Sequence, residues 1–160
     1  LKVQPHYRIV PYGPPSRVGP APSSMAMDLA PAQGAKAVAE QVAEPKLSAR
    51  DMGSGDLLVF ATPAMVALME AAAVKALAPF LPAGWTSVGT GISTSHVAAT
   101  PMGLAVTAEA TVTEAEKRSA TLRVVARDAS GDVIGEGTHT RAAVEVEKFM
   151  GRVNSKKSTL

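Results

Sequence analysis

The chain has 160 residues, and the ones able to do chemistry are few. There is no cysteine, which excludes disulfides, iron–sulfur clusters, cysteine-based zinc sites and thiol catalysis. Three histidines are present, His6, His96 and His139, and with so few a multi-histidine metal site is not expected. Any proton transfer by imidazole must fall to one of them. Glu70 is the notable carboxylate. At helical spacing its neighbours are Val66, Ala67, Ala73 and Val74, all apolar. A carboxylate so placed is expected to be desolvated, which is costly unless it is hydrogen-bonded. It could instead reach solvent at a helix edge or pair with Lys75. His96 lies where a strand runs into a turn, as a proton-transfer group or as a surface histidine. Thr62 is expected to be the N-cap of a helix. His139 is expected at an edge or an interface. None of the four is specific alone.

Those residues need elements to hold them. Seven of the twelve prolines fall in the first 31 residues, which forbids any long helix or ladder there. Residues 1–33 are therefore expected to be a disordered extension, and folding is expected to begin near Gly34. The charges in 1–27 are Lys2, Arg8 and Arg17, with no acid, which leaves an organelle-import leader as one reading and Met25 or Met27 as internal starts. A weak first strand is expected within 35–50. A turn cluster at 51–56 and a short apolar run at 57–60 follow. A helix then starts at Thr62-Pro63 and runs to Ala78, where Pro79, Pro82 and Gly84 stop it. It is apolar all round, so burial on most sides is expected.

Beyond it the period changes to two. Residues 86–94, 104–113, 120–127 and 133–146 read as four strands, with Ser130-Gly131-Asp132 as a hairpin turn. The last strand is expected to bulge at Gly135 or Gly137. Strand, helix, then four strands is an α+β layout: one long helix against an antiparallel sheet.

Composition closes other doors. Aromatics are 4%, too few for the stacking platforms of a single-strand nucleic-acid binder. The net charge of +2 reflects a small excess, and Lys148, Arg152, Lys156 and Lys157 read as a basic C-terminal tail over 151–160. Neither a nucleic-acid nor a membrane partner is expected. The stretch 65–81 is broken by Glu70, Lys75 and Pro79, and a cytoplasmic location is expected.

Four segments carry a resemblance: Ala61-Thr-Pro-Ala-Met-Val-Ala-Leu-Met-Glu-Ala-Ala72, Ser87-Val-Gly-Thr-Gly-Ile92, Ser95-His-Val-Ala-Ala-Thr-Pro-Met-Gly103 and Gly135-Glu-Gly-Thr-His-Thr-Arg141. With the closing Glu147-Lys-Phe149, they make residues 36–153 similar to the fluoroacetyl-CoA thioesterase family, whose members are hot-dog-fold acyl-CoA thioesterases. The resemblance implies a central helix wrapped by an antiparallel sheet, a homodimer or a tetramer built on it, and active sites at the dimer interface. It implies a catalytic set of Thr62, Glu70 and His96. It also implies substrate-binding roles for Gly89, at the thioester carbonyl, and Arg141, near the acyl pocket. The substrate would be an acyl-CoA, with no metal or other cofactor. The family's fluoroacetate-resistance enzyme carries an aromatic lid ahead of the threonine. Here the matching stretch is Gly53-Ser-Gly-Asp-Leu-Leu58, with no aromatic until Phe60. A short-chain acyl thioester other than the fluorinated one is thus expected. The competing readings are a non-catalytic acyl-CoA-binding hot-dog protein, which has no need of all three catalytic groups, and a hot-dog acyl-CoA dehydratase, whose hydratase signature is not seen.

Overall fold

The computed structural model describes residues 27–156. Its centre is a 16-residue helix, α1 (Thr62–Leu77), laid against a five-stranded antiparallel sheet. The strands are β1 (Lys36–Val42), β2 (Trp85–Thr94), β3 (Ala105–Glu116), β4 (Ser119–Arg127) and β5 (Val133–Glu145), in the spatial order β1-β3-β4-β5-β2. A second helix, α2 (Val146–Ser155), follows β5 directly. The α+β hot-dog architecture expected from the sequence is the one observed.

Local chemistry explains each piece. Helix α1 is built from Ala, Met and Leu, which lose little on entering a helix. Pro63 suits its first turn, and Pro79 and Pro82 prevent its continuation beyond a 3-10 turn at Ala78–Phe80. Strand β3 buries Val106, Ala108, Ala110 and Val112 on one face, as period two requires. The β4–β5 turn is tied by Asp128, whose Oδ1 accepts from the amides of Ser130 and Asp132. Asx-type bonding of this kind replaces the ladder where the chain reverses.

Several expectations need correction. Helix α1 is not buried on most sides. Ala64, Met65, Leu68, Met69, Ala72, Ala73, Ala76 and Leu77 form one buried stripe against the sheet. The opposite stripe, with Val66, Ala67, Glu70, Ala71 and Val74, is left partly open. A flat sheet face can cover only about half of a helix, and a single chain offers nothing for the other half. The 19 helical residues 62–80 are also long and apolar enough to cross a bilayer by length and composition, which the sequence reading had discounted. Their packing on β1 and β3 makes them the core helix of this fold.

The fold also begins before residue 34. Leu29 and Ala32 are wholly buried, and the Leu29 amide donates to the Lys117 carbonyl. The expectations for 1–26 lie outside the described residues. At the other end, 151–155 are helical rather than a tail. In β5 the irregularity falls at Ile134, beside Gly135, while Gly137 keeps its register. Gly137 is required for another reason: a Cβ there would run into the Ser93 carbonyl of β2. A second bulge, at Thr90 between Gly89 and Gly91, was not anticipated.

The asymmetry of α1 has a measurable consequence. Leu68→Ala should cost about 2–5 kcal/mol through cavity formation in the core. Val74→Ala, at a partly exposed position, should cost about 0.5 kcal/mol or less within the chain. Urea unfolding of the two variants, at a concentration too low for chains to associate, compares them, and equal losses would contradict the one-sided packing.

Candidate active site

The residues singled out in the sequence form two groups on the open side of α1. The first group is Thr62 and His96. Thr62 is the first residue of the helix and not its N-cap, which is Ala61, without a side-chain cap. The reason is visible in its hydroxyl. It is 2.8 Å from His96 Nδ1, and so serves the imidazole rather than the helix amides. His96 follows β2, in a segment held to β5 by the Ser95 and Val97 amides donating to the Glu136 and Ile134 carbonyls. Its Nε2 is buried with no hydrogen-bond partner. Burial lowers the His96 pKa below the ordinary 6.5, with the Ala98 backbone opposing. The imidazole is therefore neutral at pH 7, the form able to accept a proton. A recess of about 250 Å³ opens beside this pair, with Ser54, Thr62, His96 and Ala98 in its wall. No aromatic lid covers it from the 53–58 segment, and Phe60 is buried in the core.

The second group surrounds Glu70. Its side chain is 43% exposed, so the expected desolvation does not hold within one chain. The apolar neighbours are there, but they share its open face. Nor does it pair with Lys75, whose Nζ donates to the Val38 carbonyl. Glu70 Oε1 stands 3.7 Å from His139 Nε2 and 3.8 Å from Arg141 Nη1. Gly89 is opposite Arg141 in the β2–β5 register and lies directly under the carboxylate. A Cβ at Gly89 would come within 2.8 Å of Glu70 Oε1, so only glycine leaves the carboxylate its position.

Arg141 is buried, 5% exposed, and mostly engaged by the protein itself. Its Nε donates to Ser87 Oγ, its Nη2 to the Ser87 carbonyl and its Nη1 to His139 Nε2. Burial lowers its pKa from the ordinary value, against the Glu70 charge, which raises it. His139 is not at an edge. β5 lies between β4 and β2, and the ring is 1% exposed. Nothing local in the sequence marks Ser87 as a partner of Arg141, or His139 as more than an edge or interface residue. The usable signal was period two, which puts His139 and Arg141 on one face of β5.

The groups stay apart within the chain. Thr62 and Glu70 are eight residues apart on one helix face, a rise of about 12 Å. Among the described residues no hydrogen bond or ion pair joins Glu70 to Thr62 or His96. Within one chain, therefore, Thr62 does not orient Glu70. No group of three potential metal ligands converges among the described residues either.

Residues 42–147 match the family described as fluoroacetyl-CoA-specific thioesterase. This chain belongs to that family. It is 50% identical over 98 residues to a fluoroacetyl-CoA thioesterase from Streptantibioticus cattleyicolor, covering 61% of this chain and 70% of the relative. A solved structure of the fluoroacetyl-CoA thioesterase is 41% identical, with 78% of this chain and 96% of that one aligned at a TM-score of 0.72. A protein of the thioesterase superfamily from Thermus thermophilus aligns at a TM-score of 0.74 with 30% identity, over 79% of this chain and 93% of that one. The thioesterase resemblance read from the sequence is borne out.

Two measurements test the geometry. Gly89→Ala should lower kcat by about tenfold or more through displacement of Glu70, with little change in melting temperature. Acid titration gives the second. Both His96 and His139 have pKa values held below 6.5, so the unfolded chain binds more protons than the folded one. Stability contributed by the two rings is complete above pH 6.5 and falls as pH drops below it. Urea midpoints between pH 8 and pH 5 should show this decline, and a flat profile would contradict the neutral rings.

Proposed function

We propose that this thioesterase hydrolyses a short-chain acyl-CoA as a homodimer, each site combining Glu70 of one subunit with Thr62 and His96 of the partner subunit. The supporting observation is the division of the three groups along α1. A site that needs all three together is incomplete in one chain. Two further features support a second copy. The open stripe of α1 is apolar apart from Thr62, Glu70 and Lys75. Strand β2 is an edge of the sheet, with exposed residues from Gly89 to Ser93, and an unpaired edge is a template for another strand. A two-fold axis perpendicular to α1 and crossing it near Val66, midway between Thr62 and Glu70, brings the start of each helix against the middle of its partner.

Hydrolysis requires attack on the thioester carbonyl, stabilisation of the oxyanion and a proton for the departing thiolate. In one route Glu70 accepts a proton from water while the hydroxide adds to the carbonyl carbon. The C–S bond then breaks and the thiolate takes up a proton. In the other, the Glu70 carboxylate attacks the carbonyl and expels the thiolate, and water cleaves the resulting anhydride. In both, neutral His96 relays a proton towards the sulfur, with Thr62 fixing its ring. The positive end of the α1 dipole, at Thr62, favours the oxyanion. Single-turnover hydrolysis in labelled water distinguishes the routes. Label in the Glu70 carboxylate identifies an anhydride cleaved at the glutamyl carbon, and its complete absence counts against attack by Glu70. The missing aromatic lid supports an acyl group not selected for fluorine.

Glu70→Ala and His96→Ala should each abolish most thiol release from an acyl-CoA panel. Mixing them in equal amounts under subunit exchange is the decisive test. A heterodimer of the two carries one complete site if the groups meet across the interface, and none if they meet within a chain. About a quarter of wild-type activity should return, because half the dimers would each have one working site. No recovery, with exchange verified, would refute the shared site. No thiol release by the wild type from any acyl-CoA would refute the hydrolysis itself. The acid limb of kcat/KM should lie below pH 6.5, where His96 takes on a proton.

A further inference from the structure

Beneath Glu70 lies a polar cluster for which the hydrolysis above assigns no work. His139 is 1% exposed and bonded at both nitrogens. Nδ1 is 2.8 Å from the Gly91 carbonyl, and Nε2 is 2.9 Å from Arg141 Nη1. The partners decide the protonation state. A carbonyl can only accept and a guanidinium can only donate. The ring must therefore carry its proton on Nδ1 and keep a lone pair on Nε2. The Thr90 bulge supplies this arrangement, since Gly91, the residue after it, provides the accepting carbonyl.

We propose that His139 is a positioning residue, which as a neutral Nδ1–H imidazole holds the Arg141 guanidinium beside Glu70 while preventing it from closing onto the carboxylate. The count of acceptors carries this. Ser87 Oγ and the Ser87 carbonyl take the Nε and Nη2 hydrogens, and His139 Nε2 takes one from Nη1. Three of the five Arg141 N–H groups are thereby taken by neutral partners, which pins the buried guanidinium in place. Its Nη1 stays 3.8 Å from Glu70 Oε1, within reach of the charge but beyond a hydrogen bond. A closed Arg–carboxylate fork would occupy the lone pairs that Glu70 needs for water or for the thioester carbon. Without the His139 acceptor, the nearest carboxylate oxygen for Nη1 is that of Glu70.

The surroundings keep the ring neutral. Glu70 faces it from α1, Arg141 from β5 and the Gly91 carbonyl from β2, while its β4 partner is the apolar Leu122. Burial is the largest influence and lowers the His139 pKa. The Gly91 carbonyl raises it, Arg141 lowers it further, and Glu70 raises it.

The inference rests on Glu70 as the reacting carboxylate, and its test has an arm that needs no substrate. Nitrogen-15 NMR of the full chain reads the histidine tautomers directly. With three histidines in the sequence, His96→Gln and His139→Gln assign the signals. His139 should show a single Nδ1–H tautomer at pH 7 and remain neutral at pH 6.5. An Nε2–H tautomer, or titration at the ordinary value, would overturn the proposal whatever the activity. In the kinetic arm, His139→Gln keeps an acceptor near Nε2, and His139→Leu removes it. The leucine variant should lose about tenfold or more in kcat with KM little changed, the scale on which losing a supporting group costs activity. The glutamine variant should recover most of that loss. Equal kcat in the leucine variant and wild type, or equal losses in two folded variants, would also overturn it. If the wild type proves inactive on every thioester, the functional reading fails while the NMR result still judges the tautomer.

Discussion

A carboxylate standing over a buried guanidinium is the contact around which this molecule is arranged. Glu70 projects from the middle of a mostly apolar helix, and Arg141 meets it from the sheet below. Neither charge suits its place alone. Arg141 is buried and needs acceptors, which Ser87 and His139 supply. Glu70 needs space, which the missing side chain of Gly89 supplies. The bulge at Thr90, the register of β2 on β5 and the inward face of β5 all contribute to that one contact. A change at any of them would be felt at the carboxylate.

The helix has two jobs that divide along its two sides. Its buried stripe of alanine, methionine and leucine is the core of the chain. Small residues let it lie close to β1 and β3. Its open stripe carries Thr62 at the start and Glu70 two turns further on. The helix thus acts as a ruler that keeps the two groups about 12 Å apart. That spacing is rigid, since no local adjustment shortens a helix. A reaction needing both groups must bring the second from elsewhere, and in the proposed dimer the symmetric copy supplies it. The same stripe is apolar enough to favour covering.

The two histidines illustrate how environment assigns work to identical side chains. Both are neutral because burial disfavours the cation. His139 has each nitrogen committed to the protein, so its ring cannot exchange protons without breaking a bond. His96 has one nitrogen on Thr62 and the other unpartnered. Under the proposed mechanism, His96 is the ring left to move a proton.

Much was legible in the sequence because it depends on local pattern. The turn at Ser130-Gly131-Asp132 and the stops at Pro79 and Pro82 follow from single residues, and the positions of the strands along the chain follow from period two. Thr62, Glu70 and His96 were marked by type and family-like spacing. Three things were not legible. The open side of α1 could not be read, because an all-apolar helix looks the same whether a second element or a second chain covers it. The hydroxyl of Thr62 could not be assigned to His96, since 34 residues separate them and a cap is the commoner local use. The tautomer of His139 depends on Gly91, 48 residues away, and on which atoms of each partner donate. Sequence by itself determined which groups exist and which elements carry them. Tertiary structure decided which groups meet, because hydrogen bonds and charge contacts act over a few ångströms across strands that lie far apart along the chain.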